Sequence, residues 1–157
     1  MEVDRNGLAI LDRAECLRLL GAATIGRVGL TSGALPTVLP VNFCLDGERI
    51  LIRTTPGSKL DAAARNAVVA FEADDMDPIE HSGWSVMVTG VAREVALGSL
   101  DPHQRTVLAR WAPSANGETR VIAISTEVIS GRRIVPGLMP LRALRRNGGS
   151  KVRPVPG

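Results

Sequence analysis

Asp46-Gly47 stands between two runs of β-forming residues, "PTVLPVNFCL" before it and "ERILIRTT" after it. A tight hairpin turn needs backbone angles with φ above zero, which glycine adopts freely and aspartate tolerates. The pair therefore joins the two runs as neighbouring antiparallel strands and argues against a fold built from parallel βαβ units. Other segments agree. "IGRVGLTSG" precedes the hairpin as a strand, "AVVAFEADD" is a buried strand, and "GWSVMVTGVAREVAL" is a long strand with Gly90 in its middle, where a barrel strand bends. "TRVIAISTEVISGRRIV" is one long strand, or two with a break at Ser125-Thr126. Pro40 removes a ladder donor, so its part of the strand belongs at an edge or a bulge.

Helix signals are fewer. Asp12 caps "LDRAECLRLLGAATI", where Ala14, Leu17, Leu19 and Leu20 lie at helix-compatible spacings and Gly21 ends the run. Ser58 opens "SKLDAAARN", and Asp101 with Pro102 opens "LDPHQRTVLARWAP". Strands that follow one another through hairpins, with helices between the groups, predict a small antiparallel barrel with helices packed outside. Aromatic residues make up 3% of the 157 residues and tyrosine is absent, so valine, isoleucine, leucine and alanine must build the core.

Charge is unevenly placed. From Arg132 onward the chain carries Arg133, Arg142, Arg145, Arg146, Lys151 and Arg153 with no acid. The expected organisation is one domain over residues 1–140 and a basic, disordered tail over residues 141–157. A basic end can touch phosphates, but this tail has no aromatic residue for base stacking, and nucleic acid is not an expected partner. No apolar run approaches the roughly 20 residues of a membrane span. "MEVDRNG" is not a secretory signal, and Cys16 and Cys44 lack metal-type spacing, so the expectation is a cytoplasmic protein with reduced thiols.

The densest chemistry lies in "RTTPGSK". Strand alternation puts Leu51, Arg53 and Thr55 on one face. Ser58 is placed to cap the following helix, with Asp61 three residues on as a capping box. In the plain reading, this is a capped helix with a solvated Lys59. In the functional reading it is an anion site, because a helix N-terminus offers free N–H groups and Arg53, Thr55, Ser58 and Lys59 add charge and donors. Neither the P-loop pattern nor a GxGxxG fingerprint occurs, so the phosphate belongs to another class of ligand. Elsewhere, His81 is expected on a surface loop. Asp74, Asp75, Asp77 and Glu80 lack the spacing of a calcium loop, and Trp111 is expected to pack in a core or interface.

"GRVGL", "LPTVLPVNFCLDGERILIRTTPGSKLDAAARNAVVAFEADD" and "GWSVMVTGVAREV", in that order across residues 10–136, resemble the pyridoxamine 5′-phosphate oxidase-like family of flavin-binding split barrels. The resemblance implies a six-stranded antiparallel split β-barrel with flanking helices, a homodimer, and flavin mononucleotide (FMN) at the dimer interface. Carried onto this sequence, Val38, Pro40, Val41 and Asn42 would run beside the isoalloxazine ring, and Arg53 and Thr54 would line the ribityl and phosphate region. Ser58 and Lys59 would hold the phosphate, with Thr55 beside them, and Trp84 and Ser85 of the partner subunit would close the site. The oxidase's C-terminal Arg-His substrate motif is missing from "ISGRRIVPGLMPLRALRRNGGSKVRPVPG", so pyridoxal phosphate is not the expected product. Some relatives use deazaflavin and others haem; His81 and His103 are poor candidates for an axial ligand, and haem is not expected. The implied activity is a flavin-dependent oxidoreductase acting on a small molecule, with a deazaflavin-dependent reductase or a non-catalytic flavin-binding module as alternatives.

Overall fold

Burial alternates along the long strands, and that alternation defines an inside and an outside. In the computed structural model, which describes residues 1–58, 60–61, 66–109 and 119–136, Val28 and Leu30 alternate with exposed Arg27 and Thr31, and buried Val86 and Val88 alternate with exposed Met87 and Thr89. The strands are β1 (Ala9–Leu11), β2 (Ile25–Ser32), β3 (Leu35–Asp46), β4 (Arg49–Thr54), β5 (Val68–Asp77), β6 (Ser82–Val95), β7 (Arg120–Ile124) and β8 (Val128–Ile134). The described helices are α1 (Arg13–Ala22) and α2 (Pro102–Ala109), with one 3₁₀ turn at Leu97–Ser99. Leu60 and Asp61 are helical, as the sequence predicts. Lys59, residues 62–65, Trp111 and the basic tail lie outside the described residues.

The strand order is β1-β8-β6-β5-β2-β3-β4-β7, and β7 returns to β6. Six strands therefore close an antiparallel barrel, in the order β6-β5-β2-β3-β4-β7, as the sequence led one to expect. The closing strand is β6. One edge pairs with β5, and the other pairs first with β8 and then, over Ala92 to Val95, with β7. Gly90 sits at the changeover. A Cβ there would overlap the Ser125 carbonyl, while the Ser125 hydroxyl accepts a 3.1 Å hydrogen bond from the Val91 N–H. The break between β7 and β8 falls at this point, so the two-strand reading of the last segment is the one the fold adopts.

The barrel is filled by Val28, Phe43, Ile50, Ile52, Phe71, Val86, Val88 and Ile124, and closed by Cys16, Leu19 and Leu20 of α1. Phe43 and Phe71 meet edge to face at 4.8 Å, and Gly26 leaves room for the Phe71 ring. A smaller outer cluster of Leu51, Leu100, Leu108, Val121 and Ala123 packs α2 onto β4 and β7.

Three local expectations shift. Helix α1 does not end at Gly21 but runs through it to Ala22. It closes at an extended Ala23, whose N–H donates to the Leu19 and Leu20 carbonyls, so no left-handed glycine is needed. The hairpin loop is Gly47-Glu48 rather than Asp46-Gly47, because Asp46 pairs with Arg49; Gly47 supplies the positive φ of 58°. Strand β1 is absent from the sequence reading, since three residues carry too little periodicity to register.

Candidate functional site

Strand β3 has two unlike halves. Phe43 to Asp46 pair with β4, whereas residues 35–42 pair only with β2, and no described strand lies on their other edge. Pro36 and Pro40 sit in this open half, where a missing N–H costs nothing in the ladder. Where β3 parts from β4, a cavity of about 430 Å³ opens. It is lined by Leu39, Pro40, Val41 and Asn42 of β3, by Arg53, Thr54, Thr55 and Ser58 of the corner, and by Leu60 and Leu108.

The corner is built by local hydrogen bonding. Gly57 takes a φ of 75° to turn the chain. The Ser58 hydroxyl accepts from the Asp61 N–H at 3.0 Å and lies 2.6 Å from the Thr54 hydroxyl. The expected capping box forms with one change: the Asp61 carboxylate accepts from the Gly57 N–H at 2.9 Å, one residue before the cap. Asp61 is only 3% exposed, and Arg120 of β7 faces it at 3.2 Å. Arg53 is held from the side: its Nη2 and Nε donate to the Thr119 hydroxyl at 2.8 and 3.2 Å, and its Nη1 to the Ala109 carbonyl at 3.4 Å. As strand alternation predicts, Leu51 and Arg53 share the outer face of β4, while Ile50, Ile52 and the nearly buried Thr54 point the other way.

Seven of the residues singled out in the sequence thus line one cavity: Pro40, Val41, Asn42, Arg53, Thr54, Thr55 and Ser58. Lys59 is outside the described residues. Val38 does not line the cavity; it is 66% exposed on the outer sheet face, opposite Gly29. Trp84 and Ser85 are not brought to the cavity by their own chain. Half-buried Trp84 borders two other hollows, of about 520 and 330 Å³, beside Asp75. The larger hollow also holds Asp77 and Arg133, so its rim carries charge of both signs.

The outer face between these regions is uncharged along one row. Val128, Thr89, Ala70, Gly29 and Val38 lie side by side across β8, β6, β5, β2 and β3. The next row carries Arg27, bonded to Glu72 at 3.0 Å and Asp74 at 2.7 Å.

The remaining candidates have structural employment. Arg132 pairs with Asp4, and Arg133 with Glu15. Arg18 first, and Arg133 second, hold the Glu15 carboxyl down at about 2. Burial pushes the Cys44 thiol up to about 11, so it is no thiolate nucleophile at neutral pH. His81 and His103 are exposed, and no cluster of metal-ligating side chains occurs among the described residues. Among those residues no helix is long and apolar enough to cross a membrane. Sequence reasoning missed Thr119 and Arg120, which reach the corner only because β7 pairs with β4. Nothing in their local sequence marks them.

A closed six-stranded antiparallel barrel with a donor-rich corner beside an open strand edge defines the class. Residues 12–133 match the family model described as pyridoxamine 5′-phosphate oxidase, and the chain belongs to that family. The uncharacterized protein Rv0080 of Mycobacterium tuberculosis is 42% identical over 134 residues, covering 80% of this chain and 84% of its own. A solved FAD binding protein from Mycobacterium smegmatis is 34% identical, covers 82% of this chain and 99% of its own, and superposes with a TM-score of 0.62. A FAD-binding protein from Mesorhizobium loti shares the fold at 24% identity and a TM-score of 0.69, covering 82% of this chain and 99% of its own.

Proposed function

We propose that this protein is a cytoplasmic flavin-dependent oxidoreductase that works as a homodimer. The flavin phosphate sits at the Arg53, Thr54, Thr55, Ser58 and Lys59 corner, and the ring runs along Pro40, Val41 and Asn42. Trp84 and Ser85 of the partner subunit cover it. The observation that carries this reading is the single cavity that gathers an arginine and three hydroxyls at one end and leucine side chains on its walls. That donor set suits a phosphomonoester attached to an apolar ring. Further support comes from the family and from the flavin named for the M. smegmatis relative. The exposed row of small and apolar residues across the sheet suits a second copy of the chain.

When bound, the flavin supplies the hydride or electron transfer. The residues described here bind and orient. Arg53, fixed by Thr119, offers charge to the phosphate end. Pro40 leaves the strand edge short of one donor, so neighbouring backbone groups of β3 are free for the ring. Leu39, Leu60 and Leu108 exclude water.

FMN is the cofactor proposed; FAD and deazaflavin share its ribityl phosphate. The test is a visible absorption spectrum of purified protein before and after addition of FMN, FAD or deazaflavin. A bound two-banded flavin spectrum, lost in an Arg53→Ala, Lys59→Ala double variant, is the expected result. A single deazaflavin band would change the cofactor but keep the corner. No binding of any of them would remove the reading. Bound flavin that no reductant or substrate turns over would make the protein a flavin-binding module.

A further inference from the structure

We infer that Arg120, a residue outside the cavity, is a counter-charge that helps the Ser58 corner accept a phosphate. This rests on the flavin reading and names how its phosphate selectivity is set.

The corner contains a contradiction. An anion site is built around a buried carboxylate: Asp61 is 3% exposed and its backbone N–H donates to the Ser58 hydroxyl that lines the cavity. Its Oδ2 also takes the Gly57 N–H, a donor at the same turn. A negative charge this close, away from water, repels an incoming dianion strongly, because screening is weak where solvent is excluded. An acceptor oxygen at this position is nonetheless needed, since it ties the turn that presents Ser58.

Arg120 resolves the conflict. Strand pairing sets it opposite Thr54, and its Nη1 lies 3.2 and 3.4 Å from the two Asp61 oxygens. Its Nε lies 3.7 Å from Glu94, a carboxylate more than half exposed and so largely screened. The positive charge of Arg120 is therefore spent mainly on Asp61, leaving Arg53 to face the ligand. Arg120 is a positioning residue: it does not border the cavity and acts through Asp61.

The test compares FMN with riboflavin, which lacks the phosphate, by flavin fluorescence titration of the full-length protein. Arg120→Gln is expected to weaken FMN about tenfold while leaving riboflavin unchanged, on the scale of one partly buried charge at this range. Arg120→Lys is expected to keep the wild-type preference. Asp61→Asn, with Arg120 retained, is expected to raise the preference for FMN, and the Asp61→Asn, Arg120→Gln pair to return it to the wild-type value. Equal losses for both ligands in Arg120→Gln, or an unchanged preference in Asp61→Asn, would overturn the inference while the flavin site stands. If Arg120→Gln does not fold, Asp61→Asn and the double variant decide the matter alone. Wild-type protein with no preference for FMN over riboflavin would overturn the phosphate corner, and this inference with it.

Discussion

The Ser58 corner and the Trp84 strand are both built from single short segments, yet only one of them makes a site within its own chain. At the corner, Arg53, Thr54 and Ser58 follow one another along a strand, a turn and a helix start; the hydrogen bonds of Thr54 and Ser58 close over three or four residues, while Arg53 is steadied from outside by Thr119. Trp84 and Ser85 lie on β6, away from the cavity and next to an exposed sheet face. The difference teaches that a strand, a turn and a helix start can gather donors at one corner, whereas an exposed sheet face encloses no site by itself. The proposed homodimer turns on this contrast.

The largest effect is expected from Ala70→Asp, at the centre of the exposed row. An unpaired carboxylate trapped in an interface costs about 3 kcal/mol or more. Sedimentation should show monomers in place of dimers, and flavin affinity should fall although the corner is untouched. A dimer that persists with full affinity would place the interface elsewhere.

Complementation sharpens the contrast next. Arg53→Ala and Trp84→Ala are each expected to weaken FMN binding about ten- to hundredfold, as for loss of a charge-assisted bond or an aromatic anchor. A dimer containing one protomer of each kind should regain one intact site, because a wild-type Arg53 then meets a wild-type Trp84. Isolated mixed dimers that bind no flavin would show that the two residues serve one protomer's site.

Ser58→Ala removes the cap, and a loss of about 1 kcal/mol in denaturant stability is expected. The loss should exceed that from an exposed strand position such as Thr89→Ala. The smallest effect lies on the Trp84 side, where Glu15 ties α1 to β8 through Arg133. Its carboxyl is depressed from 4.5 to about 2 by Arg18 and then Arg133. Its contribution is therefore complete above pH 4.5 and is lost as pH falls toward 2. Glu15→Gln should flatten the acid limb of the stability curve across that window, seen by thermal melting, and leave neutral-pH flavin binding unchanged.

Much of this was legible in the residues. Alternation located the barrel strands, Pro40 announced an edge, Gly90 a bend, and Ser58 with Asp61 a capped turn. All these signals act over a few residues, where backbone geometry and side-chain chemistry decide the outcome. Gly21 misled because glycine can end a helix but need not, and the helix kept going until Ala23 found its carbonyl partners.

Sequence by itself therefore determined most of the strands, the barrel class and the capped turn of the corner. Only the tertiary structure decided that Thr119 steadies Arg53, that Arg120 faces Asp61, and that Val38 is left out of the cavity lining. The physical reason is pairing at long range. Thr119, just before β7, meets Arg53 of β4 across 66 residues of chain, and antiparallel register, not local pattern, chooses which side chains stand opposite each other.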